Sequence, residues 1–548
     1  MSETPDNSPN PNYDVVILGG GLAGLTLGRQ LLTDHPGLRI AIVEKRKFPV
    51  QEAAHKVGES TVEIGAHYFG EVLKLKKHLT DDQLPKFGLR FFFKDAFQSI
   101  DEGTEVGGSS FFAAPSYQVD RGRLENYLAE NDEKMGARIY SGFKVKSLEL
   151  GENGAGGDAE SHTIHLSNRE ESLTLKSRWV VDSTGRASLI KRMYDLEEDL
   201  GHDINAVWFR VDQQIQIDQW SDDRDWQQLT GKLPRRWLST NHLMGEGYWV
   251  WLIPLASGST SIGIVADPRI HPLQELNSID KSMRWLETHE PECADALRDH
   301  LDGIQDFLAI RKMSRGSRQV YSKNRWALVG EAAAFLDPFY SPGSDFIAIG
   351  NTMAGKLIEE DLAGRSIEHL APALQSIFLT LFQNNLLTYR DQYPLFGNPR
   401  IMAVKFIWDY AVYWGFPALL YFNRKLTDIG FIQSLSRGVE EIRQLNKEMQ
   451  DFFREWFKAD PEVNATPVFV DQSKIDVMTR LNAELTHPLE GEELKQQFFR
   501  NVELIRDLKD EIQERVKSSQ PALEDTFAKP NPLPESKQLD EVFEMLKI

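Results

Sequence analysis

The chain has 548 residues, 41% of them hydrophobic, which is enough for roughly two to four domains with a sizeable buried core. Its net charge of −20 argues against non-specific binding to nucleic-acid phosphates and against electrostatic docking on anionic membranes. The single cysteine, Cys293, excludes an intrachain disulfide framework and a cysteine-rich metal site, so we expect no metal and a reducing, cytoplasmic location.

Neither the polar N-terminus nor the most apolar stretch of the chain predicts a membrane segment. Residues 1–12 are polar and proline-rich, which is typical of a disordered segment and not of a signal peptide. The longest apolar-rich stretch, 401–422, is interrupted by Lys405, Asp409 and Pro417. It therefore predicts a buried helical core and no membrane span, with a lipid-facing or substrate-facing surface as the alternative.

A glycine-rich turn stands between an apolar run and a helical pattern near the start of the chain. Gly19 suits a tight turn, Gly21 allows a pyrophosphate to approach the backbone, and Gly24 allows close packing of helix on strand. Glu44 ends a second apolar run twenty residues later and can accept bonds from ribose hydroxyls. This pattern predicts a dinucleotide site over a chance glycine turn. Its candidate residues are Gly19, Gly21, Ala23, Gly24 and Glu44.

The remaining elements alternate between strand and helix patterns. In chain order, we predict a helix to Val72, an aromatic strand at 86–97, a strand entering a helix at 117–128, and strands at 137–150 and 162–179 around a GENGAGGD surface loop. A buried strand ending at Gly185, a strand-rich stretch at 205–268 and helices at 270–310 follow. The rest of the chain is predicted to form a strand, turn and helix at 326–358, mostly helices from 360 onward, and a proline-rich connection at 520–535 before a short terminal helix.

This order predicts an α/β fold of interleaved parts. A Rossmann-like domain is assembled from three stretches, an inserted and mostly antiparallel β-sheet domain holds the substrate, and a helical region follows. The predicted boundaries are 13–85, 119–200 and 312–365 for the Rossmann-like domain, 86–118 and 201–311 for the substrate domain, and 366–548 for the C-terminal region. An insertion of this kind places a ligand chamber at the domain junction.

Three separated motifs, GGGLAG, VVDSTG and LVGEAAAFLDP, together resemble the FAD-binding motifs of the flavoprotein monooxygenases related to p-hydroxybenzoate hydroxylase. The resemblance implies that Asp182, Gly185, Glu331 and Asp337 lie at FAD, with Glu331 standing where that family usually has aspartate. Arg121 belongs to an Asp-Arg-x-x-Leu element that resembles the family's element near the flavin. Without this context, a solvated charge at a helix start is the better interpretation of that arginine.

Two further motifs resemble the flavin-dependent halogenases. Residues 249–254 read WVWLIP, a full WxWxIP motif, and the resemblance implies that Trp249 and Trp251 shape a chamber by the flavin. By composition alone, they are two core tryptophans on alternate positions of a strand. Ser60 belongs to a Gly-Glu-Ser-Thr loop that resembles the halogenase loop beside the flavin. Lys86 occupies the place of the halogenase lysine in the motif order, although most lysines are solvated.

The resemblance implies a mechanism. Reduced FAD reacts with oxygen to give a flavin hydroperoxide, chloride or bromide forms hypohalous acid, and a lysine in a second chamber holds this acid by a hydrogen bond or as a haloamine. Lys86 is the candidate, because desolvation lowers a lysine pKa and makes the nucleophilic amine accessible. Arg90 is its neighbour in the sequence and cannot act as a nucleophile. No second glycine fingerprint is present in the sequence, so we expect a separate flavin reductase to supply reduced FAD.

The candidate halide-binding residues are Ser341 and Gly343, and here the sequence departs from the family. Pro342 offers no N–H and Asp345 adds a carboxylate, and each change weakens halide binding if it faces the site. Tyr340 stands where tryptophan halogenases carry an acid, so phenolic or carrier-protein-bound aromatic substrates fit better than tryptophan.

Two alternatives stay open at this point: a FAD monooxygenase or other oxidoreductase that has lost halide use, and a non-catalytic binding module. The aromatic C-terminal region fits a substrate entrance, a carrier-protein contact or the surface of a homodimer.

Overall fold

The computed structural model describes residues 12–52, 57–151, 161–232, 234–461, 466–520, 523 and 539–547. The predicted disordered N-terminus, most of the GENGAGGD loop and most of the proline-rich connection lie outside these residues.

The strands of the described residues, in chain order, are β1 Asn12–Leu18, β2 Ile40–Glu44, β3 Leu84–Pro85, β4 Leu89–Phe93, β5 Thr104–Gly107, β6 Tyr117–Gln118, β7 Arg138–Ser141, β8 Lys144–Glu149, β9 His162–Ser167, β10 Ser172–Asp182, β11 Glu197–Glu198, β12 Asn205–Val211, β13 Thr240–Gly245, β14 Tyr248–Pro254, β15 Thr260–Ala266, β16 Ile304–Ile310, β17 Gly316–Ser317, β18 Tyr321–Ser322, β19 Trp326–Leu328 and β20 Val468–Asp471.

The α-helices of the same residues are α1 Leu22–Asp34, α2 Glu63–His67, α3 Lys76–Asp82, α4 Arg121–Met135, α5 Leu189–Met193, α6 Arg224–Gln228, α7 Ile279–His289, α8 Pro291–Arg298, α9 Gly343–Leu362, α10 Leu370–Leu387, α11 Pro399–Tyr413, α12 Leu419–Phe422, α13 Ile429–Ser434, α14 Ser436–Ala459, α15 Asp476–Glu484, α16 Gly491–Ser519 and α17 Asp540–Leu546.

The first large sheet is parallel at its centre, in the order β19-β10-β1-β2-β7. Antiparallel pairing adds β18 beside β19, and β9 and β8 beside β10. The apolar residues of β1 and β2 are buried, as expected for a parallel sheet whose faces are covered by helices such as α1, α4 and α9. The predicted α/β fold with a Rossmann-like part is confirmed.

The second large sheet is mostly antiparallel, in the order β16-β12-β15-β14-β13-β4-β5-β20. Two of its pairings, β13 with β4 and β5 with β20, are parallel. Two strands fall in stretches whose periodicity predicted helix: β16 and β20. Both are edge strands of this sheet, and β20 has only four residues, too few for a period-2 pattern to stand out in a helical stretch.

The C-terminal helices pack against both sheets, α10 against β18 of the first and α17 against β20 of the second. Almost every residue of α11 is buried, and the chain continues through a π-helical turn at Trp414–Ala418 into α12. The prediction of a buried helical core here is confirmed. The two buried charges inside α11 are tolerated because Lys405 Nζ donates to Asp409 Oδ2 at 2.7 Å. No described helix has the length and apolar content needed to cross a membrane.

Candidate functional site

The three glycine-containing motifs meet where β1, β10 and β19 end. Ser183 Oγ donates to the carbonyl of Gly19 at 2.9 Å, and Val329 N–H donates to the carbonyl of Asp182 at 3.0 Å. A Cβ added to Gly330 would lie 2.7 Å from the Ala23 Cβ. The carboxyl ends of parallel strands share one edge of a sheet, so motifs far apart in sequence form one surface there.

The glycine turn has the shape that a pyrophosphate needs. Gly19 has φ +106°, and a Cβ there would lie 2.5 Å from the Ser183 carbonyl oxygen. A Cβ on Gly24 would lie 2.0 Å from the Gly19 carbonyl oxygen. Gly21, which precedes the first residue of α1, has no protein atom within 4 Å of its added Cβ. The positive end of α1 therefore opens onto free space, which fits the diphosphate of a dinucleotide.

Glu44 anchors the same turn. Its buried carboxylate accepts from the Gly20 N–H and from the Arg46 N–H, each at 2.9 Å. The ribose contact predicted for Glu44 stays a prediction.

Asp182 supports its motif from within. One carboxylate oxygen accepts from the N–H and hydroxyl of Thr184, at 3.0 and 2.6 Å, and the other accepts from the Ile190 N–H at 2.8 Å. Burial raises the pKa of this carboxyl against those hydrogen bonds. These bonds hold the turn, and the FAD contact predicted for Asp182 stays a prediction.

Gly185 and Glu331 face each other across the motifs. Gly185 has φ +61°, and its added Cβ would lie 3.9 Å from Glu331 Oε2. Burial raises the pKa of Glu331, and the charges of Arg186 and Arg121 oppose that shift. Glu331, which stands where the family usually has aspartate, therefore keeps a carboxylate beside arginines at this surface.

Arg121 ties α4 to the loop before Ser60. Its guanidinium donates to the Val57 carbonyl at 2.5 Å and to Glu125 Oε1 at 2.8 Å. Arg121 Nε and Glu59 Oε2 are buried and have no hydrogen-bond partner within the described part of the chain. Unpaired buried polar atoms are costly, so these two fit contact with a bound polar group.

A cavity, here called the tryptophan cavity, adjoins this loop. Its lining residues are Val57, Gly58, Glu59, Ser60, Thr240, His242, Trp249, Trp251, Ile253, Phe335, Pro338, Ser341 and Gly343. The cavity brings together the Gly-Glu-Ser-Thr loop, both tryptophans of the WxWxIP motif and both candidate halide residues. Aromatic and apolar walls with a few polar groups suit the flat ring of a flavin.

Trp249 is connected to Asp337 through a residue that the sequence did not reveal. Trp249 Nε1 donates to the Tyr393 hydroxyl at 3.0 Å, and that hydroxyl donates to Asp337 Oδ2 at 2.8 Å. The same oxygen lies 2.8 Å from His202 Nε2. All four side chains are buried, so the network fixes the tryptophan and the Asp-Pro turn relative to each other.

A second cavity, here called the tyrosine cavity, lies under the C-terminal helices. Its lining residues are Val62, Ile64, Leu89, Tyr340, Pro342, Asp345, Phe346, Ile349, Leu381, Asn384, Asn385, Thr388, Tyr389, Asp409, Tyr410, Val412, Tyr413, Pro417 and Asn446.

Residues 338–345 form a wall that the two cavities share. Ser341 and Gly343 line the tryptophan cavity, whereas Pro342 and Asp345 line the tyrosine cavity. Asp345 is held there because its carboxylate accepts from the Gly65 N–H at 2.8 Å and from the Tyr413 hydroxyl at 2.7 Å. Neither departure from the halide motif therefore lies in the lining shared with Ser341 and Gly343.

Lys86 is buried beside the tyrosine cavity, with 3% of its surface exposed. Its ammonium donates to the Thr61 carbonyl at 2.7 Å, next to the cavity-lining Val62. Burial lowers the pKa of Lys86 to about 7, opposed by the carboxylates of Glu63 and Asp345. Burial likewise raises the pKa of Asp345 to about 7.

Two features of this site had no signal in the sequence. Glu63 is buried near Lys86, and Glu63 Oε2 has no hydrogen-bond partner in the ranges that the structure describes. The C-terminal helices supply most polar groups of the tyrosine cavity, and they contain no motif.

Among the described residues, no cluster of histidine, cysteine, aspartate or glutamate could hold a metal ion.

The chain is similar to known flavoproteins over most of its length. The family model described as FAD binding domain matches residues 12–344. A flavin-dependent halogenase from Dictyostelium discoideum, chlA, is 30% identical over 434 residues, which are 73% of this chain and 69% of that protein. The 1H-pyrrole-2-carbonyl-[peptidyl-carrier protein] chlorinase of Pseudomonas fluorescens is 26% identical, with 73% of this chain and 86% of that protein covered.

A solved structure agrees in fold. The crystal structure of halogenase PltM in complex with phloroglucinol and FAD has a TM-score of 0.58 at 15% identity and covers 93% of this chain and 96% of that one.

Proposed function

Since this chain belongs to the flavin-dependent halogenase family, we propose that it passes hypohalous acid from the tryptophan cavity to Lys86 and onto a phenolic ring in the tyrosine cavity. The observation that carries this proposal is the wall at 338–345, one segment that lines both cavities. Such a wall separates the site that generates the oxidant from the site that receives it.

FAD is the cofactor of the enzyme, and in its reduced form it supplies hypohalous acid from oxygen and chloride or bromide. Gly21 and the open end of α1 would hold its diphosphate. Ser60, Trp249 and Trp251 would surround its ring, and Asp337 would hold Trp249 in place through Tyr393. A separate flavin reductase as the source of reduced FAD is part of this proposal.

Halide binding at Ser341 and Gly343 is supported by the start of α9. The first N–H groups of a helix have no partner within the helix and attract anions, and α9 begins at Gly343 on the tryptophan cavity. Pro342 and Asp345 were the main argument for a monooxygenase that does not use halide. Both line the other cavity, which supports halide use over that alternative.

Lys86 is proposed to capture the oxidant because its amine can be neutral. At a pKa of about 7, both the ammonium, which donates a hydrogen bond, and the amine, which is nucleophilic, are populated near neutral pH. Asp345 and Glu63 supply two buried carboxylates near this lysine. A carboxylate of raised pKa suits acceptance of the proton that the ring loses when the halogen adds.

A phenolic substrate is supported by the lining of the tyrosine cavity, which combines aromatic side chains with amide, hydroxyl and carboxylate groups. The structural relative PltM has been captured with phloroglucinol, which is a phenol. A carrier-bound substrate, as named for the Pseudomonas relative, is the second candidate. A cytoplasmic location and a homodimer stay predictions of the sequence.

The test supplies reduced FAD from an independent reductase, with oxygen, chloride or bromide, and a panel of phenols, pyrroles and indoles. Mass spectrometry then shows addition of halogen, addition of oxygen or no product. We expect halogenated phenols. Lys86→Met should remove the halogenated phenol while hypohalous acid escapes to a soluble acceptor. Lys86→Arg, which keeps the charge but cannot supply a neutral amine, separates hydrogen bonding from haloamine formation. Hydroxylated product without halogenation in bromide would overturn the proposal.

A further inference from the structure

The C-terminal helices contribute a group of polar side chains to the tyrosine cavity. Asn385 lies near the end of α10, and Tyr389 follows four residues later, so the two side chains share one side of this turn. Asp409 from α11 and Asn446 from α14 face the same cavity. No functional motif was found in the sequence of these helices, yet they supply the most polar part of the lining of the tyrosine cavity.

Two of these groups lack a partner. The Tyr389 hydroxyl and the Asn385 side-chain carbonyl oxygen are shielded from water, and neither has a hydrogen-bond partner among the residues that the structure describes. Tyr389 is fully buried. A buried hydroxyl or amide without a partner costs free energy, so unpaired groups on a cavity wall indicate a ligand that completes them.

The neighbouring polar groups, by contrast, are paired with one another. The Tyr340 hydroxyl donates to Asp409 Oδ2 at 2.7 Å, and Lys405 Nζ donates to the same oxygen at 2.7 Å. Gln450 Nε2 donates to Asp409 Oδ1 at 2.8 Å. This closed network presents the ring of Tyr340 to the cavity while its hydroxyl stays occupied. Of the polar atoms in this lining that are shielded from water, the Tyr389 hydroxyl and the Asn385 carbonyl oxygen are those left without a partner within the described residues.

We propose that Tyr389 and Asn385 together bind a hydroxyl group of the aromatic substrate and so select phenols over their ethers. A phenolic hydroxyl can accept from Tyr389 and donate to the Asn385 carbonyl, which satisfies both groups at once. An ether oxygen has no hydrogen to donate to Asn385. A carboxylate group also lacks that hydrogen and would lie near Asp337, Asp409 and Asp345, whose charges act on Tyr389. This inference rests on the proposed function, which makes the tyrosine cavity the substrate site.

The test compares resorcinol with 1,3-dimethoxybenzene, because both rings are electron-rich and only resorcinol carries hydroxyls. Binding to the FAD-loaded protein is measured by calorimetry, separately from turnover. We expect resorcinol to bind about tenfold more tightly, since one hydrogen bond of about 1.4 kcal/mol corresponds to a factor of ten. Asn385→Leu should raise the Kd of resorcinol by about five- to tenfold and leave that of 1,3-dimethoxybenzene unchanged. Tyr389→Phe removes a donor from which either oxygen can accept, so it should raise both Kd values.

Tyr321→Phe is the matched control. It removes a buried tyrosine hydroxyl whose bond, to the Gly350 carbonyl at 3.3 Å, lies outside both cavities, so both Kd values should stay at wild-type levels. Tyr389→Phe removes only an unpaired oxygen, so it keeps the test usable if Asn385→Leu fails to fold.

Equal binding of the two rings by the wild type, or wild-type Kd values in both variants, overturns the inference even where resorcinol is halogenated. Loss of discrimination in Asn385→Leu, together with weaker binding of both rings by Tyr389→Phe, supports it, even where no halogenated product forms and the proposed function fails.

Discussion

Ser341 and Pro342 are consecutive in the chain, yet they line different cavities. Ser341 has φ +57°, a left-handed conformation that is uncommon for residues other than glycine. Its N–H donates to the Pro338 carbonyl at 2.9 Å, which closes the turn before α9. Such a conformation at a functional site is kept only where the surrounding structure holds it. Here it is found in the segment that forms the wall of two chambers.

This wall predicts different effects for two neighbouring substitutions. Gly343→Ala places a methyl group in the tryptophan cavity, with no atom closer than 3.9 Å to obstruct folding. We expect the KM for bromide to rise by about tenfold, the effect of losing about 1.4 kcal/mol of anion binding. Steady-state halogenation at varied bromide measures this change.

Pro342→Ala serves as the comparison, because its side chain faces the tyrosine cavity and the change adds an N–H at the helix start. The KM for bromide should stay constant or fall. Equal increases for both variants would place the halide elsewhere.

The buried charges around Lys86 predict the direction of a pH shift. Burial lowers the lysine pKa to about 7, and the Asp345 carboxylate opposes this shift by favouring the ammonium. Asp345→Asn removes that opposition, so the lysine pKa should fall further. If the neutral amine is the reactive form, halogenated product per reduced FAD increases with pH through about 7 in the wild type. This limb should move to lower pH in Asp345→Asn and, for the same reason, in Glu63→Gln.

The measurement is the pH profile of halogenated product alongside that of reduced-FAD consumption. Asp199→Asn alters an exposed carboxylate that is paired with Lys312 and should leave the profile in place. A limb that moves to higher pH in Asp345→Asn would show that this carboxylate does not stabilise the ammonium of Lys86.

The hydrogen bonds of Tyr393 predict that this residue stabilises the wall of the tryptophan cavity. Tyr393→Phe removes the hydroxyl that accepts from Trp249 and donates to Asp337, and leaves both buried groups short of a partner. We expect a loss of about 1–3 kcal/mol in the free energy of unfolding, and more reduced FAD consumed per halogenated product. Tyr321→Phe, with one bond of 3.3 Å to Gly350, should cost less stability and leave that ratio unchanged. Chemical denaturation and product counting check the two effects.

The parts of this site that could be predicted from sequence are those in which one backbone geometry demands one residue type. Gly19 and Gly24 belong to this class, because an added Cβ at either position meets backbone atoms within 2.5 Å. The tryptophans of β14 could be located because a strand points alternate residues to one face. Lys86 could be named only through the family resemblance, since nothing in its neighbours distinguishes a buried lysine from a solvated one.

The groups contributed by the C-terminal helices could not be predicted. Asp409 lies in α11, where nearly every residue is buried, so periodicity does not separate a cavity-facing side from a core-facing side. Tyr389 and Tyr393 lie between α10 and α11, where no long helical period is available to place them. Their roles depend on contacts more than fifty residues away in sequence, such as that between Tyr393 and Asp337. The left-handed turn at Ser341 could not be predicted either, because serine does not indicate a positive φ.

The glycine turn predicts that folding and cofactor binding can be separated by two similar substitutions. Gly24→Ala would bring a methyl group to 2.0 Å from the Gly19 carbonyl oxygen, so the strand and helix must move apart. We expect it to lower the Tm of the FAD-free protein by several degrees. Gly21→Ala meets no protein atom within 4 Å and has an ordinary φ of −85°, so the FAD-free protein should keep its Tm. The same methyl group would occupy the space in which a pyrophosphate approaches α1, so the Kd for FAD should rise by about tenfold or more. Thermal denaturation without FAD and fluorescence titration with FAD separate the two effects. Wild-type affinity in a folded Gly21→Ala protein would mean that the diphosphate does not lie against this turn.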